Sequence, residues 1–159
     1  VGYALKGNEY DFILYLDHDC IPVDYFCVRS ILLFKRGAGL GQEKEKKYFW
    51  PGCFMFDNRE LEIAVDFSVN REHSLDTGGN TFRLIEMYGE EKFTFFEEVY
   101  FQNPYKAGAY NFYSIIGGKF MHFINTSNWN STENNEARIN SLLVVAKNRI
   151  DGAENARVS

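Results

Sequence analysis

The first strong signal in the chain is the apolar run Phe12-Ile13-Leu14-Tyr15-Leu16, followed at once by Asp17-His18-Asp19. A short unbroken apolar run reads as a strand covered on both faces, as inside a parallel sheet. Helical spacing comes next: Val23, Phe26, Cys27, Ser30, Ile31 and Phe34 recur behind Pro22 and stop at Gly37. That spacing predicts a helix of about three turns with Cys27 on its buried face. Gly37-Ala38-Gly39-Leu40-Gly41 reads as a short strand or turn, since it matches neither a dinucleotide fingerprint nor a P-loop. Charges alternate over 43–47, a solvated loop. Residues 53–56 read as a second buried strand, reached through a Pro51-Gly52 turn. A short helix is expected over 59–64, and Asp66-Phe67-Ser68 opens a loop. Another helix follows Gly78-Gly79, with Phe82 and Ile85 inward and a stop at Gly89. Residues 93–101 read as a strand or an aromatic-rich segment, interrupted by Glu97 and Glu98, both read as surface residues. A strand over 110–116 turns at Gly117-Gly118 into the apolar stretch that holds His122. Residues 125–135, rich in Asn, Ser and Thr, read as a polar loop. Ala137, Ile139, Leu142, Leu143 and Ala146 mark a last helix, and 1–7 suit the final turns of a helix ended by glycine.

Composition changes this picture only in part. With 159 residues, 45% of them hydrophobic and 17% aromatic, the chain is expected to form one domain over 1–150, followed by a polar tail over 151–159. A net charge of −5, with no basic stripe, argues against nucleic acid as a partner. Three cysteines (Cys20, Cys27 and Cys53) without a CxxC pair give neither a disulfide framework nor a zinc site, and point to a reducing cytoplasm. No apolar run is long enough to span a membrane, and no signal peptide is visible. The chain opens on Val1 and reaches its first strand by Phe12, which suggests a fragment lacking an N-terminal part.

Three places carry candidate chemistry. If the chain stays extended, Asp17 and Asp19 share one side and His18 faces away. Two carboxylates just past the carboxyl end of a strand can hold a hard divalent cation, which can in turn hold a diphosphate. They can equally cap the turn before Pro22. In Leu75-Asp76-Thr77-Gly78-Gly79-Asn80 the paired glycines allow close approach of backbone to a ligand; the alternative is a helix start capped by Asp76 or Thr77. His122, set among apolar residues, is either a satisfied core histidine or a ligand.

Four pieces, in order, resemble the GT-A-fold glycosyltransferases, in particular uncharacterised bacterial and phage-like members related to family 2. They are the strand ending in Asp17-His18-Asp19, Trp50-Pro51-Gly52-Cys53-Phe54-Met55-Phe56, Val65-Asp66-Phe67-Ser68 with Leu75 to Asn80, and the late His122. The resemblance covers about residues 1–130. It implies an α/β fold: a GT-A-like, Rossmann-like mixed sheet flanked by helices, with the N-terminal nucleotide-binding half truncated. It also implies transfer of a sugar from a nucleotide-diphosphate donor to a saccharide or other hydroxyl acceptor, with Mn²⁺ or Mg²⁺ as cofactor. In that reading Asp19 and His122 ligate the metal, and Asp17 binds the metal or a hydroxyl of the donor. Asp76, Gly78, Gly79, Asn80 and Trp50 line the donor-sugar or acceptor pocket. Asp76 is the first candidate for the general base and Asp66 the second. Two other classes compete: a metal-dependent nucleotidyltransferase or phosphohydrolase, with attack at phosphorus, and a non-catalytic carbohydrate-binding module that stacks its many aromatics on sugar rings.

Overall fold

The computed structural model describes residues 10–105, 112–124 and 135–158. In chain order these form strands β1 (Phe12–Leu16) and β2 (Cys20–Pro22), helix α1 (Val28–Ile31), and strands β3 (Gly37–Glu43) and β4 (Lys47–Asp57). Helix α2 (Phe82–Tyr88) follows, then strands β5 (Phe93–Phe96), β6 (Glu98–Gln102), β7 (Phe112–Ile116) and β8 (Phe120–His122), and helix α3 (Asn135–Val158). The fold is mixed α/β; the described residues form two four-stranded sheets ordered β1-β4-β3-β5 and β2-β8-β7-β6. The chain divides into two compact units, residues 1–17 with 27–96 and residues 18–26 with 97–159. The expected helix turns at 1–7 lie outside the described residues, as does the expected polar loop up to residue 134.

The first unit is organised by β4, which is buried along nearly its whole length. Both of its neighbours, β1 and β3, run antiparallel to it, and β5 pairs parallel with β3. Phe12–Leu16 is therefore not the doubly covered parallel strand that its apolar run suggested. Among the described residues it lies at the sheet edge, half-buried, with Tyr15 40% exposed. Pro51-Gly52 is not a turn between strands either. Gly39 faces Phe54 while Gly41 faces Phe49, so β4 carries extra residues opposite Leu40. A proline, lacking a ladder donor, is tolerated at such a bulge. The bulge also resets the alternation. Phe49, Phe54 and Phe56 join one core cluster with Phe93, Val65 and Leu84, although an odd number of positions separates Phe49 from Phe54. Tyr48, Leu75 and Phe82 form a separate cluster.

The glycine-rich stretch is strand β3, and its missing side chains make room for aromatic rings. A Cβ on Gly39 would meet Cys53 O at 2.6 Å, and one on Gly41 would meet Phe95 Cδ1 at 2.6 Å. Phe49 stacks on Phe54 at 4.5 Å and on Phe95 at 4.8 Å between ring centroids. The aromatic richness of this unit is thus largely spent on its core.

Residues 58–64 form turns rather than the expected short helix. Beyond them, α2 matches its expected range and ends at Gly89, whose φ of 88° suits glycine. A 3-10 turn at Gly79–Thr81 leads into it. Thr81 is fully buried and ties this turn to β4: its hydroxyl accepts from Phe49 N at 2.8 Å and donates to Gly78 O at 2.7 Å. Thr81→Val keeps the shape but strands a buried N–H, so we expect a stability loss of about 1–3 kcal/mol. A lower urea midpoint at unchanged slope would report it.

Among the described residues of the second unit the strand pairs are antiparallel. Tyr113, Ile115, Met121 and Phe123 pack with Val23 against Leu142, Val145 and Ala146 of α3. The helix expected from Pro22 is cut short because its first residues are taken by this sheet. Cys20–Pro22 pairs with Phe120–His122, and Val23 N donates to Lys119 O at 2.9 Å. Only the single turn Val28–Ile31 is helical, and the chain leaves it through Phe34, at φ 62° and 90% exposed. Residues 93–101 are not one strand: β5 and β6 belong to different sheets, with the break at Glu97. Helix α3 continues through the expected polar tail to Val158. No helix among the described residues is long and apolar enough to cross a membrane.

Candidate functional site

The chain does not stay extended after β1. It turns at His18-Asp19 before β2 begins. His18 is therefore not directed away from its neighbours: one ligating atom from each of Asp17, His18 and Asp19 lies within 4.8 Å of the others. The donor set, two carboxylates and an imidazole, fits a hard or borderline divalent ion such as Mg²⁺ or Mn²⁺.

The second unit adds partners to Asp19. Antiparallel pairing sets Cys20 opposite His122, His122 opposite Ser114, and Ser114 opposite Tyr100. Side chains in register across neighbouring strands share a face, and so do positions two apart on one strand, which brings in Glu98. Asp19, one residue before Cys20, is 6% exposed, and its Oδ2 lies 4.0 Å from His122 Nε2. Asp19 O accepts from Phe123 N at 2.7 Å, which ties the turn to the end of β8. On the other side of the ring, His122 Nδ1 is 3.6 Å from Glu98 Oε1 and 3.5 Å from Ser114 Oγ.

Glu98 is thus no surface residue. Its Oε1 accepts from Ser114 Oγ at 2.6 Å and its Oε2 from Tyr100 OH at 2.8 Å. Burial pushes its carboxyl up, but His122, Ser114 and Tyr100 together hold it below the usual glutamate range. Burial and the Glu98 carboxylate push the Tyr100 phenol up to about 12. Ser114 has no exposure and gives its proton to Glu98, an arrangement unsuited to a nucleophile that must meet substrate. The signal for Glu98 was its period: Glu98 and Tyr100 alternate with Val99 and Phe101, and a carboxylate inside a strand needs a partner.

The remaining candidates lie in the first unit. Asp66 Oδ1 accepts from Ser68 N at 2.8 Å and Oδ2 from Asn80 Nδ2 at 2.8 Å. Asn80 also donates to Ser68 Oγ at 2.6 Å and accepts from Asn70 Nδ2 at 2.6 Å. Asp66, Ser68 and Asn80 line a cleft of about 640 Å³ together with Arg83, Ile63 and Leu84. Asp76 is exposed, and its Oδ1 accepts from Thr77 N at 2.7 Å. Gly78 and Gly79 are buried and their amides are engaged, Gly78 N with Phe67 O at 2.7 Å and Gly79 N with Asp76 O at 2.8 Å. The Trp50 indole lies over Gly52, in the space that a Cβ there would take.

Burial raises the Asp66 carboxyl, but the Ser68 and Asn80 hydrogen bonds and nearby Arg83 outweigh it and hold the pKa below the usual range. A folded-state pKa below the unfolded one adds stability above the unfolded value of about 3.9, and that stability is lost as pH falls through the folded value. Wild type is therefore expected to lose its stability advantage over Asp66→Asn below about pH 4. Urea midpoints measured at several pH values check this; an advantage independent of pH would contradict it. The same lowered pKa makes Asp66 a weak general base near neutral pH.

The comparisons match the chain to no protein family, no curated protein and no solved structure.

Proposed function

We propose that the chain is the catalytic part of a metal-dependent glycosyltransferase of GT-A type, acting on a nucleotide-diphosphate sugar in the cytoplasm. The observation that carries this reading is the approach of Asp19 and His122, far apart in sequence, to 4.0 Å. In the proposal Asp19 and His122 would hold Mn²⁺ or Mg²⁺, and Asp17, two residues before Asp19 in the chain, would bind the ion or a donor hydroxyl. The bound ion would supply Lewis-acid stabilisation of the charge that grows on the leaving diphosphate. The buried Asp19 carboxylate and the half-buried His122 imidazole sit on paired backbone before any ligand arrives, which favours such preorganised stabilisation.

In the first unit, Asn80 and Trp50 are the proposed contacts to the donor sugar or acceptor, and the buried Gly78-Gly79 segment, its amides already engaged, holds Asn80 in place rather than touching the ligand. Asp76, exposed beside that segment, is the proposed base that takes the acceptor proton. Asp66 serves better as an anchored hydrogen-bond acceptor for a sugar hydroxyl.

The test is product analysis after incubation with nucleotide sugars and Mn²⁺. Release of nucleoside diphosphate, abolished by a chelator, supports sugar transfer. Release of pyrophosphate or of nucleoside monophosphate instead moves the chemistry to phosphorus. Saccharide binding that ignores metal, with no turnover, makes the chain a binding module.

A further inference from the structure

We propose that the cleft lined by Asp66 and Arg83 takes an acidic sugar, its carboxylate on the Arg83 guanidinium and its hydroxyls on Asp66. That the ligand is a sugar rests on the transferase reading above; that the cleft takes a carboxylate flanked by hydroxyls does not.

The cleft measures about 640 Å³ and lies wholly within the first unit. Small-molecule sites span about 300–1,000 Å³, so its size suits such a ligand. Ile63 and Leu84 supply apolar wall, while Asp66, Ser68, Asn80 and Arg83 supply polar groups. The acceptor side is fixed in advance. Asp66 Oδ1 accepts from Ser68 N and Oδ2 from Asn80 Nδ2, each at 2.8 Å. Asn80 is braced in turn by Asn70 Nδ2 at 2.6 Å, and Asn70 is buried. A carboxylate has about four acceptor sites, so one such bond at each oxygen leaves room for ligand hydroxyls.

Arg83 is the donor side. It is the second residue of α2, set between buried Phe82 and Leu84, and is itself exposed. Among the described residues its guanidinium makes no hydrogen bond or ion pair; the Phe82 ring lies 5.9 Å from it. Lys46, Lys47 and Arg59 of the same unit each pair with a carboxylate. Arg83 is near enough to Asp66 to hold its carboxyl down, yet forms no ion pair with it. Guanidinium and carboxylate therefore share the cleft without closing on each other. A guanidinium is a planar fork that meets a carboxylate at two points, which a lone hydroxyl does not match. A phosphate dianion would set two charges against Asp66 where a carboxylate sets one.

NMR titration of the metal-free protein with glucuronate, glucose and acetate tests this. Glucose lacks the carboxylate and acetate lacks the hydroxyls. Wild type is expected to bind glucuronate about tenfold more tightly than either, the effect of one charge-assisted pair. Arg83→Gln, at an exposed position, should keep the urea midpoint and bind glucuronate no better than glucose. Arg83→Lys keeps the charge but not the fork and should recover part of the preference. Equal affinity for glucuronate and glucose in wild type overturns the proposal. A preference that persists in folded Arg83→Gln, or no binding of glucuronate at all, overturns it as well. Arg83-dependent glucuronate binding without release of nucleoside diphosphate from any nucleotide sugar removes the transferase reading and leaves the ligand of the cleft standing. Sugar transfer by a chain that ignores glucuronate does the reverse.

Discussion

Asp19→Asn is expected to weaken Mn²⁺ binding by more than about a hundredfold and to remove sugar transfer with it, while the urea midpoint changes little. The lower bound follows from outer partners: losing a group that only orients a ligand costs about ten- to a hundredfold, so losing a ligand costs more. Stability is spared for three reasons. Asparagine has nearly the same shape. The bond from Phe123 N is made to the backbone carbonyl of residue 19, which the substitution keeps. Replacing a nearly buried carboxylate by a neutral amide also removes a desolvation cost. Calorimetric Mn²⁺ titration beside urea denaturation separates the two effects. Full activity in the folded variant would sink the assignment of Asp19.

Gly78→Ala should have the largest effect on stability. Gly78 has φ 87°, in the left-handed region that costs an alanine about 1 kcal/mol or more. A Cβ there would also lie 2.3 Å from Phe49 O and 2.8 Å from Pro51 Cδ. Those atoms belong to buried β4, so the turn must move instead. Moving it pulls Thr81 from the Phe49 amide and Gly78 N from Phe67 O. The combined cost is about 3–5 kcal/mol, a large share of the roughly 5–15 kcal/mol by which an ordinary domain is stable. A urea midpoint within error of wild type would contradict this packing.

How much of this was legible in the chain depends on whether local pattern or tertiary pairing decided each element. Helix α2 was readable because Gly89 stops it and its apolar positions keep a helical period. Strand β7 and the Gly117-Gly118 turn were readable for similar reasons; both glycines have positive φ. Pro22 misled because a proline that can open a helix can also end a strand. Its segment is claimed by β8, which lies far along the chain and leaves no local mark. Phe12–Leu16 misled because an apolar run tells of burial but not of direction or neighbour order. Glu98 was passed over as a break in a strand, when the break falls one residue earlier, at Glu97. The grouping of Asp19 with His122 came from family resemblance alone, since nothing in the spacing links them. Strand pairing of Cys20 with His122 is what brings them together.

The most direct measurement of the metal proposal is pulsed electron paramagnetic resonance of Mn²⁺ bound to the protein, read for nitrogen coupling. Two histidines near the carboxylates compete as donors, His18 beside them in the chain and His122 across the sheet. A coupling from one imidazole nitrogen is expected, persisting in His18→Ala and disappearing in His122→Ala. A coupling that survives His122→Ala, or bound Mn²⁺ with no nitrogen coupling in wild type, would contradict it.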